Sequence, residues 1–152
     1  MSREPLAAHL EDKVRASFAR QSFMETLGAR IGELARGWCV LELPHRGDLL
    51  QQHGYLHAGV VSTLADTACG YAALSVMPED ASVLTTEFKI NLMAPAAGDR
   101  LRAQGNVVRA GRTLVVTTAE VLARSGDEWK PVALFQGSMM CLRNTADDTT
   151  RR

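Results

Sequence analysis

Cysteine is scarce in this sequence, and its placement excludes several functions. The 152 residues contain three cysteines, Cys39, Cys69 and Cys141. They are odd in number and widely scattered, without the paired spacing of a zinc site or a CxxC redox motif. Each lies in an apolar stretch, so we interpret them as small buried thiols in a reducing compartment, which indicates a cytoplasmic location.

Two catalytic motifs are also missing. The sequence has no Gly-x-Ser-x-Gly motif, which disfavours a serine hydrolase. His45, His53 and His57 share one loop, but no His-Glu-x-x-His or Cys/His spacing accompanies them. We therefore predict no metal and no cofactor.

Net charge and long apolar runs are lacking too. The 17 basic residues balance 17 acidic residues, whereas surfaces that bind nucleic acid need a strong positive bias. Two stretches without charged residues, 49–65 and 67–78, are too polar or too short to supply the about 20 apolar residues of a membrane span. The first residues carry mixed charges and no apolar signal-peptide region. We expect neither a nucleic-acid partner nor a membrane partner.

The hydrophobic pattern predicts one α+β domain over residues 1–152, with flexible ends at 1–7 and 143–152. An amphipathic helix is predicted over 8–24 and an apolar helix over 58–77. Period-two alternation predicts strands at 29–35, 37–43, 83–93, 99–109, 113–123 and 129–142. In strand 83–93 the alternation puts Thr86 and Phe88 on one face and Glu87 on the other. Short turns indicate a curved antiparallel sheet wrapped around the long central helix.

Asp66 is the one charged residue of helix 58–77. A helix that is apolar on every side is expected to be buried on every side. Small residues on the face of Asp66 would allow close approach to the sheet: Gly59, Ser62, Thr63, Gly70 and Ala73. A buried ionised carboxylate is costly unless it is paired or hydrogen-bonded. Asp66 is therefore either a structural acid, bonded to a strand or to a cation from elsewhere, or a functional one.

Residues 51–59 run directly into this helix. A helix N-terminus presents free backbone N–H groups that can hold the oxyanion of acyl transfer. Gly59 would let a substrate approach the backbone closely. For an isolated His-x-Gly, a plain loop-to-helix junction with His57 as a satisfied polar residue is the simpler interpretation.

The sequence HAGVVSTLADTA at residues 57–68 resembles the H-G-G-x-x-x-x-L-x-D-x-A segment of PaaI-type hotdog thioesterases. The resemblance extends to TTEFKINLMAP at 85–95 and to the turn GRTL at 111–114, and it spans roughly residues 28–142. It implies a hotdog fold and an acyl-CoA thioesterase that releases the free acid and coenzyme A. It also implies a homodimer or homotetramer with the active site at the dimer interface.

The resemblance implies roles for individual residues. Asp66 would act as general base or nucleophile, Thr85 would position the attacking water, and the backbone N–H of Ala58 would polarise the thioester oxygen. The turn at Gly111 and Arg112 would contact coenzyme A, with Arg112 as a phosphate partner.

The motif histidine, His57, would be mainly structural, and two neighbouring positions depart from the family pattern. The second motif residue is usually Gly and is Ala58 here, which keeps the backbone N–H. The position six before the histidine is often Asn and is Gln51 here. Gln51 keeps the amide of that catalytic position, although the adjacent Gln52 leaves the loop register open.

Two alternatives to a thioesterase stay open. A non-catalytic acyl-CoA binding or sensing protein could use the same fold, but it could dispense with Asp66 and Thr85. A hotdog dehydratase or hydratase would use a histidine and an acid in a differently placed helix motif, which the sequence lacks. Tyr71, Phe88 and Met93 are the candidates to line an acyl pocket.

Overall fold

The computed structural model describes residues 3–145 and 147. The helices are α1 (Ala8–Ala19), α2 (Ser22–Leu27) and α3 (Ala58–Leu74), with a single 3-10 turn at Gly47–Leu49. The strands are β1 (Arg30–Ala35), β2 (Trp38–Pro44), β3 (Ser82–Leu92), β4 (Arg100–Ala110), β5 (Leu114–Ser125) and β6 (Glu128–Leu142). In this part of the chain they form one antiparallel sheet of six strands in the order β1-β2-β4-β5-β6-β3.

The sheet packs against α3 through one face of its strands. In β5, buried and partly buried residues alternate along the strand, which is the pattern of a strand with one face on a core. The ten buried residues of α3 include Leu64, Ala68 and Ala72. The predicted antiparallel sheet around one central helix is confirmed.

The close contact between α3 and the sheet depends on a glycine of the sheet. A Cβ added to Gly105 in β4 would lie 2.5 Å from the carbonyl carbon of Ala68, whereas one added to Gly70 would meet no atom within 4 Å. Glycine is needed where two backbones approach this closely. Gly59 and Gly70, two of the small residues predicted to allow the approach, therefore do not provide it.

One face of α3 is left open in the protomer. Gly59 is exposed, and Ser62, Thr63, Asp66 and Gly70 are only partly buried. The prediction of burial on every side is wrong because periodicity counts apolar residues and cannot show where the sheet ends. The open face is the one that carries Asp66.

The predicted single helix over 8–24 is wrong, because the chain forms two helices that separate at Gln21. Gln21 is extended, with ψ 96°, and its Nε2 donates a hydrogen bond of 2.7 Å to the hydroxyl of Tyr71 on α3. Gly28 then ends α2 in the left-handed conformation, which favours glycine.

The first described residues pack on the sheet. The N–H of Arg36 donates to the carbonyl of Glu4 at 3.0 Å, and the guanidinium of Arg3 lies 3.2 Å from the ring centroid of Trp38. The predicted flexible ends lie partly outside the described residues, at 1–2, 146 and 148–152. The single domain over 1–152 stays a prediction.

The three cysteines are free and buried, as expected. Within residues 3–145 and 147, no helix is both long and apolar enough to cross a bilayer. In the same residues, no three His, Cys, Asp or Glu side chains are grouped so that they could hold a metal ion.

Candidate active site

Asp66 faces a cavity of about 210 Å³ between α3, β3 and the N-terminal helices. Its lining combines these elements with Gln21, between α1 and α2, and Asp147, after β6: Ser17, Gln21, Asp66, Thr67, Gly70, Tyr71, Val83, Leu84, Thr85 and Asp147. The floor is fixed by Tyr71, whose hydroxyl bonds Gln21 Nε2 at 2.7 Å and lies 3.2 Å from Ser17 Oγ. A carboxylate, a hydroxyl and a small, partly open cavity therefore occur together.

Thr85 is the hydrogen-bond partner of Asp66. Its Oγ1 donates to Asp66 Oδ1 at 2.8 Å and lies 3.3 Å from the Sδ of Met139. Because the carboxylate accepts a hydroxyl of β3 and belongs to none of the ion pairs of the described residues, it is not locked by a cation.

A β-bulge in β3 turns the side chain of Thr85 toward α3. Thr85 pairs with Met139 and Glu87 with Ser138, so Thr86 is the extra residue of the bulge. The bulge puts Thr85 on the same side of the sheet as Phe88, which stacks on the buried Phe135. The prediction that Thr86 shares the face of Phe88 is wrong because regular alternation cannot register an inserted residue.

Burial raises the pKa of Asp66, and the hydrogen bond from Thr85 partly opposes that rise. Burial disfavours the charged form of a carboxyl group, while a donor to the carboxylate favours it. A carboxylate with a raised pKa accepts a proton more readily, which suits a general base.

The first turn of α3 leaves one backbone amide free. The Nδ1 of His57 accepts the N–H of Gly59 at 2.8 Å, and the carbonyl of His57 accepts the N–H groups of Val60 and Val61 at 2.9 and 3.2 Å. Within the described part of the chain, the N–H of Ala58 has no acceptor. His57 is thus the N-cap of α3. Its capping hydrogen bonds leave the N–H of Ala58 as the free donor of the first turn.

Gly59 serves the cap. A Cβ added at this position would lie 3.0 Å from His57 Nδ1, so a side chain would press on the capping ring. This contact is a structural reason for glycine at position 59, in addition to the predicted approach of a substrate to the backbone.

A second cavity of about 450 Å³ lies at the start of α3. Its lining combines the loop, the helix start and the chain after β3: Gln51, Tyr55, Leu56, Ala58, Val61, Leu92, Met93, Ala94 and Pro95. Gln51 lines this cavity, whereas Gln52 is exposed. Of the two adjacent glutamines, Gln51 is therefore the one whose amide can reach the cavity. Its Oε1 accepts the N–H of His53.

The predicted catalytic residues form two separate pairs in one protomer. Asp66 and Thr85 share the smaller cavity, and Ala58 and Gln51 share the larger one. Ala58 and Asp66 are eight positions apart on α3, which is about 12 Å along a helix axis. One carbonyl group cannot touch both.

The turn at Gly111 and Arg112 lies at the Thr85 end of the sheet, because Val115 of β5 pairs with Met139 and Met139 pairs with Thr85. Both turn residues are exposed and line neither cavity. The N–H of Gly111 donates to the carbonyl of Leu114 at 2.9 Å, so Gly111 closes the turn.

Part of the Asp66 cavity has no signal in the sequence. Of the three residues predicted to line an acyl pocket, Tyr71 lines the smaller cavity and Met93 the larger, whereas Phe88 lines neither. Ser17 and Gln21 are not predicted, because they lie 54 and 50 positions from Tyr71. No spacing within the chain signals a contact of that range.

Comparisons with known proteins agree with this architecture. Residues 53–130 match the family model of the thioesterase superfamily. A putative esterase of Halobacterium salinarum is 33% identical over 126 residues, which cover 78% of this chain and 83% of the relative. The acyl-coenzyme A thioesterase PaaI of Escherichia coli is 28% identical over 123 residues, which cover 80% and 84%.

Solved structures give the same result. A thioesterase family protein from Silicibacter pomeroyi superposes with a TM-score of 0.87 at 50% identity and covers 88% of this chain and 98% of its own. The E. coli PaaI protein superposes with a TM-score of 0.83 at 26% identity and covers 92% and 98%. The chain therefore belongs to the thioesterase superfamily, as a member of its PaaI-type hotdog group.

Proposed function

We propose that this protein is an acyl-CoA thioesterase that hydrolyses acyl-CoA to the free acid and coenzyme A. The observation that carries the proposal is the hydrogen bond of Thr85 to Asp66 in a small cavity, with the pKa of Asp66 raised by burial. Membership of the thioesterase superfamily supports thioester hydrolysis, and the name of the E. coli relative supports coenzyme A as the carrier.

The chemistry needs a base and an oxyanion donor on opposite sides of the carbonyl. Asp66 takes a proton from a water that attacks the thioester carbon, or attacks that carbon itself, and Thr85 holds the carboxylate. The oxyanion accepts a hydrogen bond from the N–H of Ala58, and the carbon–sulfur bond breaks to release the thiolate of coenzyme A, which takes up the proton from Asp66 or from solvent. If Asp66 attacks directly, a water then hydrolyses the acyl–aspartyl anhydride to the free acid and restores the carboxylate. An oxyanion donor contributes about 10²–10³-fold in rate.

The distance between Ala58 and Asp66 favours a site shared by two subunits. β3 is the last strand of the sheet, and its Leu84, Phe88 and Leu92 are 59%, 49% and 53% exposed. A long, apolar edge strand is a surface for pairing with another chain. We propose that β3 pairs antiparallel with its copy in a homodimer, or in a homotetramer of two such dimers.

That pairing would complete the site. Leu92 lines the cavity of Ala58, and Leu84 lines the cavity of Asp66. An antiparallel pair of β3 strands sets the Leu92 end of one subunit beside the Leu84 end of the other. The partner subunit's Ala58 and Gln51 would then face Asp66.

The remaining predicted residues act in binding. Arg112 would contact a phosphate of coenzyme A from the Gly111 turn, and His57 with Gly59 would hold the helix start that carries the Ala58 donor. We also propose a cytoplasmic location, because three free cysteines suit a reducing compartment.

A hydrolysis screen with a thiol-trapping dye over short, long and aromatic acyl-CoAs tests this proposal. We expect turnover of at least one substrate, and an Asp66→Asn variant that is about 10²–10⁴-fold slower. Binding of acyl-CoA without any hydrolysis would instead support the non-catalytic binding protein.

A further inference from the structure

Gly70 lies in the interior of α3 without a structural reason for glycine. Its φ is not in the left-handed region, and an added Cβ would meet no atom within 4 Å. Glycine in a helix interior is destabilising relative to alanine. Gly105 shows the contrast, since a Cβ there would collide with the backbone of Ala68.

The open space beside Gly70 is the Asp66 cavity. Gly70 follows Asp66 by four positions, so the two residues are neighbours on one face of the helix. Both line the cavity together with Tyr71, Leu84 and Thr85. A side chain at position 70 would therefore extend into the space next to the carboxylate.

We propose that Gly70 sets the size of the acyl group that this enzyme accepts. The inference rests on the proposed thioesterase function, in which the carbon next to the thioester carbonyl must lie close to Asp66. The cavity is small, at about 210 Å³ in one protomer. The substrate class is accordingly short-chain acyl groups or acyl groups with a single ring.

The competing explanation for Gly70 is close packing of a partner subunit on the open face of α3. It predicts that a larger residue at position 70 weakens the oligomer and slows every substrate equally. The size filter predicts a loss that grows with the acyl group, because one methylene in a fitted pocket changes kcat/KM by about 10–200-fold.

The test compares wild type, Gly70→Ala and Gly70→Val on acetyl-, butanoyl-, hexanoyl-, octanoyl- and dodecanoyl-CoA, with oligomer mass measured by light scattering. Gly47→Ala is the matched control, because its Cβ also meets no atom within 4 Å and Gly47 lines neither cavity. We expect wild type to prefer hexanoyl-CoA or shorter chains. Gly70→Val should lower the ratio of hexanoyl to acetyl kcat/KM at least tenfold, with the oligomer intact and Gly47→Ala unchanged.

Gly70→Ala keeps the proposal testable if the valine variant fails to fold. It should raise Tm by about 2–4 °C through helix propensity and still lower the hexanoyl-to-acetyl ratio. An unchanged ratio in the folded variants, or an equal loss on all chains with a smaller oligomer, would overturn the inference while wild-type turnover upholds the thioesterase. Failure of wild type on every acyl-CoA would overturn the proposed function itself.

Discussion

Thr85 donates a hydrogen bond from Oγ1 to Oδ1 of Asp66 at 2.8 Å, and this bond joins β3 to α3 across 19 positions of sequence. Burial raises the pKa of Asp66, and the bond opposes the rise because it stabilises the ionised carboxylate. In the proposed mechanism the Thr85 hydroxyl thus orients the Asp66 carboxylate and extends the pH range in which Asp66 is ionised.

Removing this hydroxyl should change the pH profile of catalysis. In Thr85→Ala the pKa of Asp66 should rise further, so the acid limb of kcat/KM should move to higher pH and the rate at neutral pH should fall. Thr85→Ser keeps the hydroxyl and is the control. A Thr85→Ala profile with the wild-type acid limb would show that the bond does not tune the base.

Replacing Asp66 should stabilise the folded protein at neutral pH. Because the folded pKa lies above 3.8, the folded state binds more protons than the unfolded state between these two values, and stability falls as pH rises through that window. Asp66→Asn lacks this cost and still accepts the Thr85 hydrogen bond. Its Tm should exceed that of wild type by a few degrees at pH 7, and the gain should shrink as pH falls toward 3.8.

Asp48→Asn is the control of opposite sign for this experiment. The hydrogen bond from Arg46 lowers the pKa of Asp48 at the surface, so loss of its charge should not raise Tm at neutral pH. Equal Tm changes in the two variants would contradict the assignment of the cost to burial of Asp66.

The free amide of Ala58 can be removed with little disturbance of the helix. Ala58 is the first residue of α3, where proline is well tolerated, and His57 has the extended conformation that precedes proline, with φ −60° and ψ 140°. Ala58→Pro should therefore keep the Tm of wild type and lower kcat by about 10²–10³-fold. Ala58→Gly keeps the N–H and should keep most of the rate; an active proline variant would exclude Ala58 as the oxyanion donor.

Most of the fold follows from local patterns in the sequence. The alternation of β5 and the apolar run of α3 predict these elements to within a few residues of their observed bounds, because each pattern reports which side of an element meets the core. The break at Gln21 has no such signal, since its cause is a hydrogen bond to Tyr71, 50 positions away.

The candidate site was less predictable than the fold. The motif of residues 57–68 selects Asp66 and Ala58, but neither the bulge at Thr86 nor the open face beside Gly70 has a sequence signal. Both depend on where β3 and α3 meet in space. The sequence likewise does not show that Asp66 and Ala58 line different cavities of one protomer.

A hybrid dimer tests whether Asp66 of one subunit and the partner subunit's Ala58 form a single active site. Asp66→Asn and Ala58→Pro chains carrying different tags would be co-expressed and the hybrid isolated with both tags. Each variant alone should be nearly inactive, whereas the hybrid should regain about half of the wild-type kcat, because one of its two symmetry-related sites is intact. A hybrid as inactive as its parents would contradict a site built from Asp66 of one subunit and the partner subunit's Ala58.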